Sequence, residues 1–252
     1  MGCRLTFLAL ILSAPIFGQA PPATSSPQQT VDQVFQLHEA WGPQANSPNA
    51  AVSLREISRR GRMFLYRIYA VGLPPEDRYT FLTWPITKPG ATEAVKGVRL
   101  DQTGLVVCPA TPGPCPAKPG EPIEFAVTVL KGVPVRIGLV SMDNSRLRAF
   151  AKIVPLPNQA SNRGCTLEAV QLAPEGRFVL VEGRGFPPNA QLAIDRLSGD
   201  EHTTAKAKAT PDGRYFDLIL PFQKGRANGT MSVTAEASGC TPSLTFDWGA
   251  RK

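Results

Sequence analysis

Four arginines, Arg55, Arg59, Arg60 and Arg62, fall within eight positions, the last set off by Gly61, and Tyr66, Tyr69, Tyr79, Phe81 and Trp84 follow closely. A guanidinium offers a planar fork of donors that fits carboxylate, sulfate or phosphate, and exposed rings add stacking surface. The chemistry this pattern could perform is recognition of an anionic glycan, not the making or breaking of bonds. The plainer reading is that the aromatics are core and the arginines a solvated turn. Nucleic acid would suit the charge equally but does not suit an exported chain, so no nucleic-acid partner is expected.

Catalytic constellations are not nominated. The chain has two histidines, His38 and His202, far apart. It contains no Gly-x-Ser-x-Gly elbow and no His-Glu-x-x-His zinc motif. Glu76-Asp77 and Asp200-Glu201 are adjacent acids that could converge on calcium, yet calcium needs six or more oxygens and nothing else is visibly dedicated to it. A glycosidase-type carboxylate pair is not singled out either. Gly183-Arg184-Gly185 lacks the third glycine and the following helix of a dinucleotide loop. A non-enzyme without cofactor or metal is the expectation.

Export is read from the first 20 residues: Arg4 precedes an apolar run over 5–17, and Gly18-Gln19-Ala20 supplies small residues for cleavage. Pro21 disfavours that cut and leaves its position open. The apolar run is shorter than the ~20 residues that span a bilayer, and no later segment reaches that length without charge or proline, so no transmembrane span is expected after signal removal. The formal charge is +7. The excess sits mainly in residues 21–157, with 15 basic and 10 acidic groups, against 11 and 10 in residues 158–252. A basic exported protein leans toward anionic surfaces.

The elements that would position these residues are written twice. Gly61-Arg62 opens an apolar run ending in Gly72-Leu73-Pro74-Pro75, and Gly176-Arg177 opens another ending in Gly185-Phe186-Pro187-Pro188. Each run leads to an Asp-containing glycine turn, 101–104 and 212–213, and later to a Lys-Gly pair, Lys131-Gly132 and Lys224-Gly225. Such self-similarity indicates two like units. The prolines of the doubled phrase read as loop stiffeners, with the apolar residue after each glycine plugging a core. Within this frame, four cysteines follow the signal, and an even number in an exported chain implies disulfides. Of three possible pairings, Cys108–Cys115 and Cys165–Cys240 are favoured because each stays within one unit. Metal binding is the alternative, without Cys-x-x-Cys spacing to support it.

Residues 21–29 form a Pro/Ser/Thr/Gln lead-in, and residues 31–41 are read as a short helix with Thr30 as its cap. From residue 51 the signals are those of strands. Residues 62–71 are apolar on both faces, as in a central strand, and 123–129 alternate with period two. Residues 135–139 and 147–154 continue the pattern. In the second unit, six runs (178–182, 191–196, 203–210, 215–220, 230–237 and 243–248) are separated by turn residues. Lys206 and Lys208, alternating with alanines, suit an edge strand. Asp212-Gly213 and Asn228-Gly229 are read as tight turns requiring positive φ.

On Gly183-x-Gly185-Phe186-Pro187, Asp212-Gly213 before Tyr215-Phe216, and Gly229, the second unit resembles the immunoglobulin-like sandwich modules found in tandem in bacterial exported proteins. The resemblance covers about 85 residues and is fainter in the first unit. It implies scaffold and a general role in binding, spacing or adhesion. The expected organisation is all-β: signal peptide 1–20, lead-in with helix 21–50, β-sandwich 51–157, linker 158–164 and immunoglobulin-like sandwich 165–252. The expected role is an exported binding or presentation protein, secreted, periplasmic or at the cell surface. Its partner would be envelope polysaccharide or, alternatively, a partner protein in an envelope assembly. The unmatched parts of the first unit, 31–41, 55–62 and 108–120, are where specific function is expected.

Overall fold

The computed structural model describes residues 45–84, 91–110, 115–144, 146–173 and 176–249. The expected signal peptide and the helix at 31–41 lie outside them. Every described regular element is a strand.

The first eight are β1 (Ala51–Arg60), β2 (Met63–Val71), β3 (Tyr79–Thr83), β4 (Thr92–Leu100), β5 (Val106–Val107), β6 (Glu124–Thr128), β7 (Val135–Ser141) and β8 (Arg148–Ile153). They form a three-stranded sheet, β1-β2-β6, and a five-stranded sheet, β5-β4-β3-β7-β8. The next eight are β9 (Asn158–Asn162), β10 (Cys165–Gln171), β11 (Val179–Arg184), β12 (Gln191–Ser198), β13 (Glu201–Lys208), β14 (Tyr215–Ile219), β15 (Asn228–Glu236) and β16 (Ser243–Gly249). These form two four-stranded sheets, β14-β11-β10-β9 and β13-β12-β15-β16. Every pairing is antiparallel.

The doubled sequence is also a doubled topology. The order β1-β2-β6 recurs as β10-β11-β14, and β4-β3-β7-β8 recurs as β13-β12-β15-β16. Only β5 and β9 lack counterparts. Gly72 follows β2 at φ 69° and Gly185 follows β11 at φ 77°. A Cβ on Gly72 would lie 2.1 Å from the Asn49 carbonyl oxygen, and one on Gly185 would lie 2.3 Å from that of Gly164. The same corner in both copies thus needs a residue that tolerates positive φ and has no side chain. Leu73 and Phe186, the next residues, are buried as core plugs. The turns close alike, with the Asp77 N–H donating to the Pro74 carbonyl and the Ala190 N–H to that of Pro187.

Apolar residues of β2, β3 and β7, including Phe64, Ile68, Phe81, Ile137 and Leu139, share one buried cluster. Leu167, Val181, Ile194, Val233 and Trp248 belong to a second, drawn from both four-stranded sheets. Each such side chain contributes about 1.5–3 kcal/mol by leaving water. The central position expected for residues 62–71 is that of β2, and the lysine-bearing run expected at an edge is β13, at the end of its sheet. The disulfides are Cys108–Cys115 and Cys165–Cys240, with Cα atoms 5.8 and 6.0 Å apart.

Two expectations are corrected. Residues 158–164 do not form a linker: β9 pairs with β10 from Asn158↔Ala169 to Asn162↔Cys165, joined through Arg163 and Gly164. Proline punctuation ends at Pro157, and the polar run after it reads as loop although it ladders onto β10. Gly229 is not in a turn but inside β15, opposite Trp248. A Cβ there would come 2.7 Å from the indole ring, so the glycine makes room for tryptophan.

The two copies meet at the β8–β9 passage. The Gly132 N–H donates to the Leu156 carbonyl at 2.7 Å, and the Gln171 N–H to the Gly132 carbonyl at 2.8 Å. Val154 packs with Val170, Leu172 and Leu180 on the outward side of the β10–β11 pair. The second Lys-Gly motif has no such role, and that asymmetry is invisible in sequence.

Candidate functional site: the arginine hairpin

The arginine cluster belongs to the β1–β2 hairpin. Register runs from Ala51↔Val71 to Arg60↔Met63, with an irregularity between Glu56 and Ser58. Gly61 at φ 61° takes the first position of the two-residue turn. Arg62, at the second, is absent from the positive-φ residues, the pattern of a II′ hairpin. The arginines are therefore strand and hairpin-tip residues instead of one continuous turn.

Arg55, Arg59, Arg60 and Arg62 are all exposed. They are not equivalent. Arg55 pairs with Arg67 on the outward face, and its guanidinium lies 4.1 Å from the Tyr69 ring centroid. Arg59 is opposite Phe64 and lies 4.7 Å from that ring, while its Nε donates to the Gly61 carbonyl at 3.2 Å. With exposed guanidinium groups over a half-buried Tyr69 and a buried Phe64, such contacts contribute about 0.5–1 kcal/mol each and restrict the side chain's orientation. Arg60 and Arg62 sit at the tip, where the Val129 N–H donates to the Arg62 carbonyl at 3.0 Å. Arg67 is paired with Glu124 at 3.2 Å. Cross-strand neighbours of like charge, Arg55 and Arg67, are thus partly offset by one carboxylate.

Most of the aromatics belong to the interior. Tyr66, Tyr79, Phe81 and Trp84 are buried; Tyr69 alone of the five is partly open. Burial pushes the Tyr66 hydroxyl up to about 12, with Glu56 adding to the shift and Arg59 opposing it. Tyr79 is also raised, by burial and then by Asp77, Glu76 and Asp143. Its hydroxyl donates to the Pro74 carbonyl at 2.7 Å. The ring platforms for arginine are Tyr69 and Phe64, and sequence reasoning missed Phe64 because only the register reveals its partner.

Several other polar groups singled out in the sequence are bonded within the fold. His202 Nε2 meets the Asp195 carboxylate across β12–β13. Asp200 accepts from Gln223 at 3.2 Å and Arg226 at 3.1 Å. Asp77 accepts from the Ser141 hydroxyl at 3.1 Å. Among the described residues, no group of three or more His, Cys, Asp or Glu could hold a metal ion. A cluster that sequence did not reveal is Arg196, Asp217 and Tyr215. Arg196 Nε and Nη2 donate to Asp217 Oδ2 at 2.9 and 2.5 Å, and the Tyr215 hydroxyl donates to the same oxygen at 2.9 Å. Burial works against the Arg196 charge, but Asp217 and Tyr215 together outweigh it and raise the group.

Each copy has a groove at the corresponding open corner between its sheets. In the first it holds 290 Å³ and is lined by Trp84, Phe125, Val127, Val129, Pro134 and Val135 among others. In the second it holds 300 Å³, with Arg196, Thr203, Leu218, Leu220, Phe222 and Met231 in its wall.

No protein-family model and no curated protein matches the chain. Among solved structures, the chain is similar to a tetra-tandem repeat in the extending region of a large adhesion protein, at 13% identity over 80% of this chain, with a TM-score of 0.28. This chain spans 49% of that one, about half its length. It is also similar to a chain from a structural study of neurohormone perception by the receptor tyrosine kinase Torso, at 10% identity over 94% of each chain, with a TM-score of 0.23. Likenesses at such TM-scores carry no weight for fold or function. Among the described residues, no helix is long and apolar enough to cross a membrane.

Proposed function

We propose that the protein is an exported, non-catalytic binding or presentation protein of the cell envelope. It is built of two tandem sandwich domains, and the first presents its arginine hairpin to an anionic glycan. The domain boundary in this reading falls at 154–157, with β9 belonging to the second sandwich. The two disulfides support an oxidising, extracytoplasmic location.

One observation carries the binding reading. Four exposed arginines occupy a single hairpin, and two of them are stacked on Tyr69 and Phe64. Guanidinium groups oriented in this way lose less freedom when they grip an anion than free ones do. The contacts expected are with carboxylate or sulfate along a polymer, and they weaken with salt because the groups are exposed.

The test replaces Arg59, Arg60 and Arg62 with serine and measures retention on acidic polysaccharide at low and raised salt. A several-fold loss of retention is expected, with a shallower salt dependence. Retention equal to the parent's overturns the reading. Neutral polysaccharide and duplex DNA serve as parallel columns, and preference for the DNA would also overturn it.

A further inference from the structure

The open edge of β14 differs from other sheet edges in this protein. The β13 edge carries Lys206 and Lys208, both exposed, which discourage pairing with a foreign strand. The β8 edge is occupied: the Ser47 N–H donates to the Arg148 carbonyl at 2.8 Å, and the Asn46 side chain accepts from the Phe150 N–H at 2.7 Å. The β5 edge is only two residues long. Among the described residues β14 pairs with β11 alone; like the edge strands β6, β9 and β16 it carries neither lysine nor proline, but unlike them it turns an apolar row outward.

Side chains alternate along a strand, so Phe216, Leu218 and Leu220 share the side opposite buried Tyr215 and Ile219. Leu218 is partly covered by the cluster around Leu180. Phe216 remains 45% exposed and Leu220 50%. The fold does not demand apolar residues there. The counterpart strand β6 presents Glu124, Ala126 and Thr128 on the same side, with Glu124 paired to Arg67. An edge that is unguarded, apolar and half-exposed in one copy only is a feature of docking, not of folding.

We infer that β14 pairs antiparallel with β14 of a second copy of this chain, about a two-fold axis at Leu218. The register makes the strip self-complementary. Leu218 faces its own mate, and Phe216 faces Leu220 of the other copy, one residue past the end of β14. Within its own chain Phe216 is flanked by Arg214, whose guanidinium lies 4.6 Å from the ring centroid. The one charge of the paired segment, Asp217, is neutralised within its own chain by Arg196 at 2.5 Å. Electrostatics favour this face over the other copy: residues 158–252 carry 11 basic and 10 acidic groups, so two such halves scarcely repel, whereas 15 against 10 in residues 21–157 would. The partner strand would also cross the mouth of the 300 Å³ groove beside Leu218 and Leu220. The contact is isologous and closes as a dimer, joining two four-stranded sheets into one of eight.

Sedimentation velocity on the full chain tests the pairing. A dimer is expected, with Phe216→Lys and Leu220→Lys each weakening it at least tenfold; both positions are half-exposed, so the variants should keep the parent's melting curve. A parent chain that remains monomeric up to about 100 µM, well above the dissociation constants of specific contacts, overturns the proposal. So does a dimer that both variants leave intact. Register is tested by Leu218→Cys. Opposed Cα atoms in an antiparallel pair lie about 4.5–5.5 Å apart, within disulfide reach. A covalent dimer should form under oxidation, while Thr204→Cys on β13 should give none; equal crosslinking by the two overturns the register. Glycan retention is unaffected by these variants, so failure here and failure of the glycan reading are separable.

Discussion

Tyr66, Tyr79 and Tyr215 keep their protons in the folded state well beyond the ordinary tyrosine range, mainly because burial disfavours the phenolate. A raised folded pKa means stability that is complete below the unfolded value of 10.0 and is lost as pH climbs above it. Alkaline unfolding should therefore coincide with the appearance of phenolate absorbance, in one cooperative step instead of three independent titrations. Asp217 sets a different expectation. Replacing it with asparagine leaves Arg196 half-buried beside a neutral amide, and a loss of about 2–3 kcal/mol is expected in urea unfolding. Gly229→Ala should cost about 1–3 kcal/mol by thermal melting, because the new Cβ would sit 2.7 Å from the Trp248 ring. Gly120→Ala, where nothing lies within 4 Å, should cost only the strain of its φ of 78°, about 1 kcal/mol.

At the level of elements, glycine and proline punctuation made the repeat legible: Gly72 and Gly185 mark corners that only a side-chain-free residue can occupy. Alternation exposed β6, β7 and most strands of the second copy. What stayed hidden depended on pairing partners. β9 reads as loop because Asn158, Gln159, Ser161 and Asn162 have low strand propensity, and its ladder onto β10 overrides that preference. The strand region is legible from residue 51, but its end at Arg60 is not, since charge alone does not separate an exposed strand face from a turn. Composition located the candidate site, but its geometry was not readable, because the arginine–ring pairs arise from cross-strand register. The disulfides invite a comparison between elements. On the chain-entropy relation, removing Cys165–Cys240 with its separation of 75 should cost about 4.5 kcal/mol, and removing Cys108–Cys115 with its separation of 7 about 2.5 kcal/mol. Paired Cys→Ala variants followed by guanidinium unfolding should preserve that order.

For the whole molecule, the join between copies matters as much as either copy. Gln171 closes on the Lys131-Gly132 turn through both backbone and side chain, the latter donating to the Lys131 carbonyl at 3.3 Å. Val154→Asp would place a charge against Val170 and Leu172, and faster protease cleavage at 154–157 is expected without loss of either copy's melting transition. The long disulfide has a mechanical corollary. If the chain is stretched from its two ends, tension enters the second copy through β9, reaches Cys165, crosses directly to Cys240 and leaves along β16. Everything between those cysteines is shielded from the load while the bond is intact. Reduction would release that hidden length, roughly 250 Å at about 3.4 Å per residue over a separation of 75. Single-molecule pulling should show the extra extension only with reductant, so the oxidation state of one bond sets how far this protein stretches before it lets go.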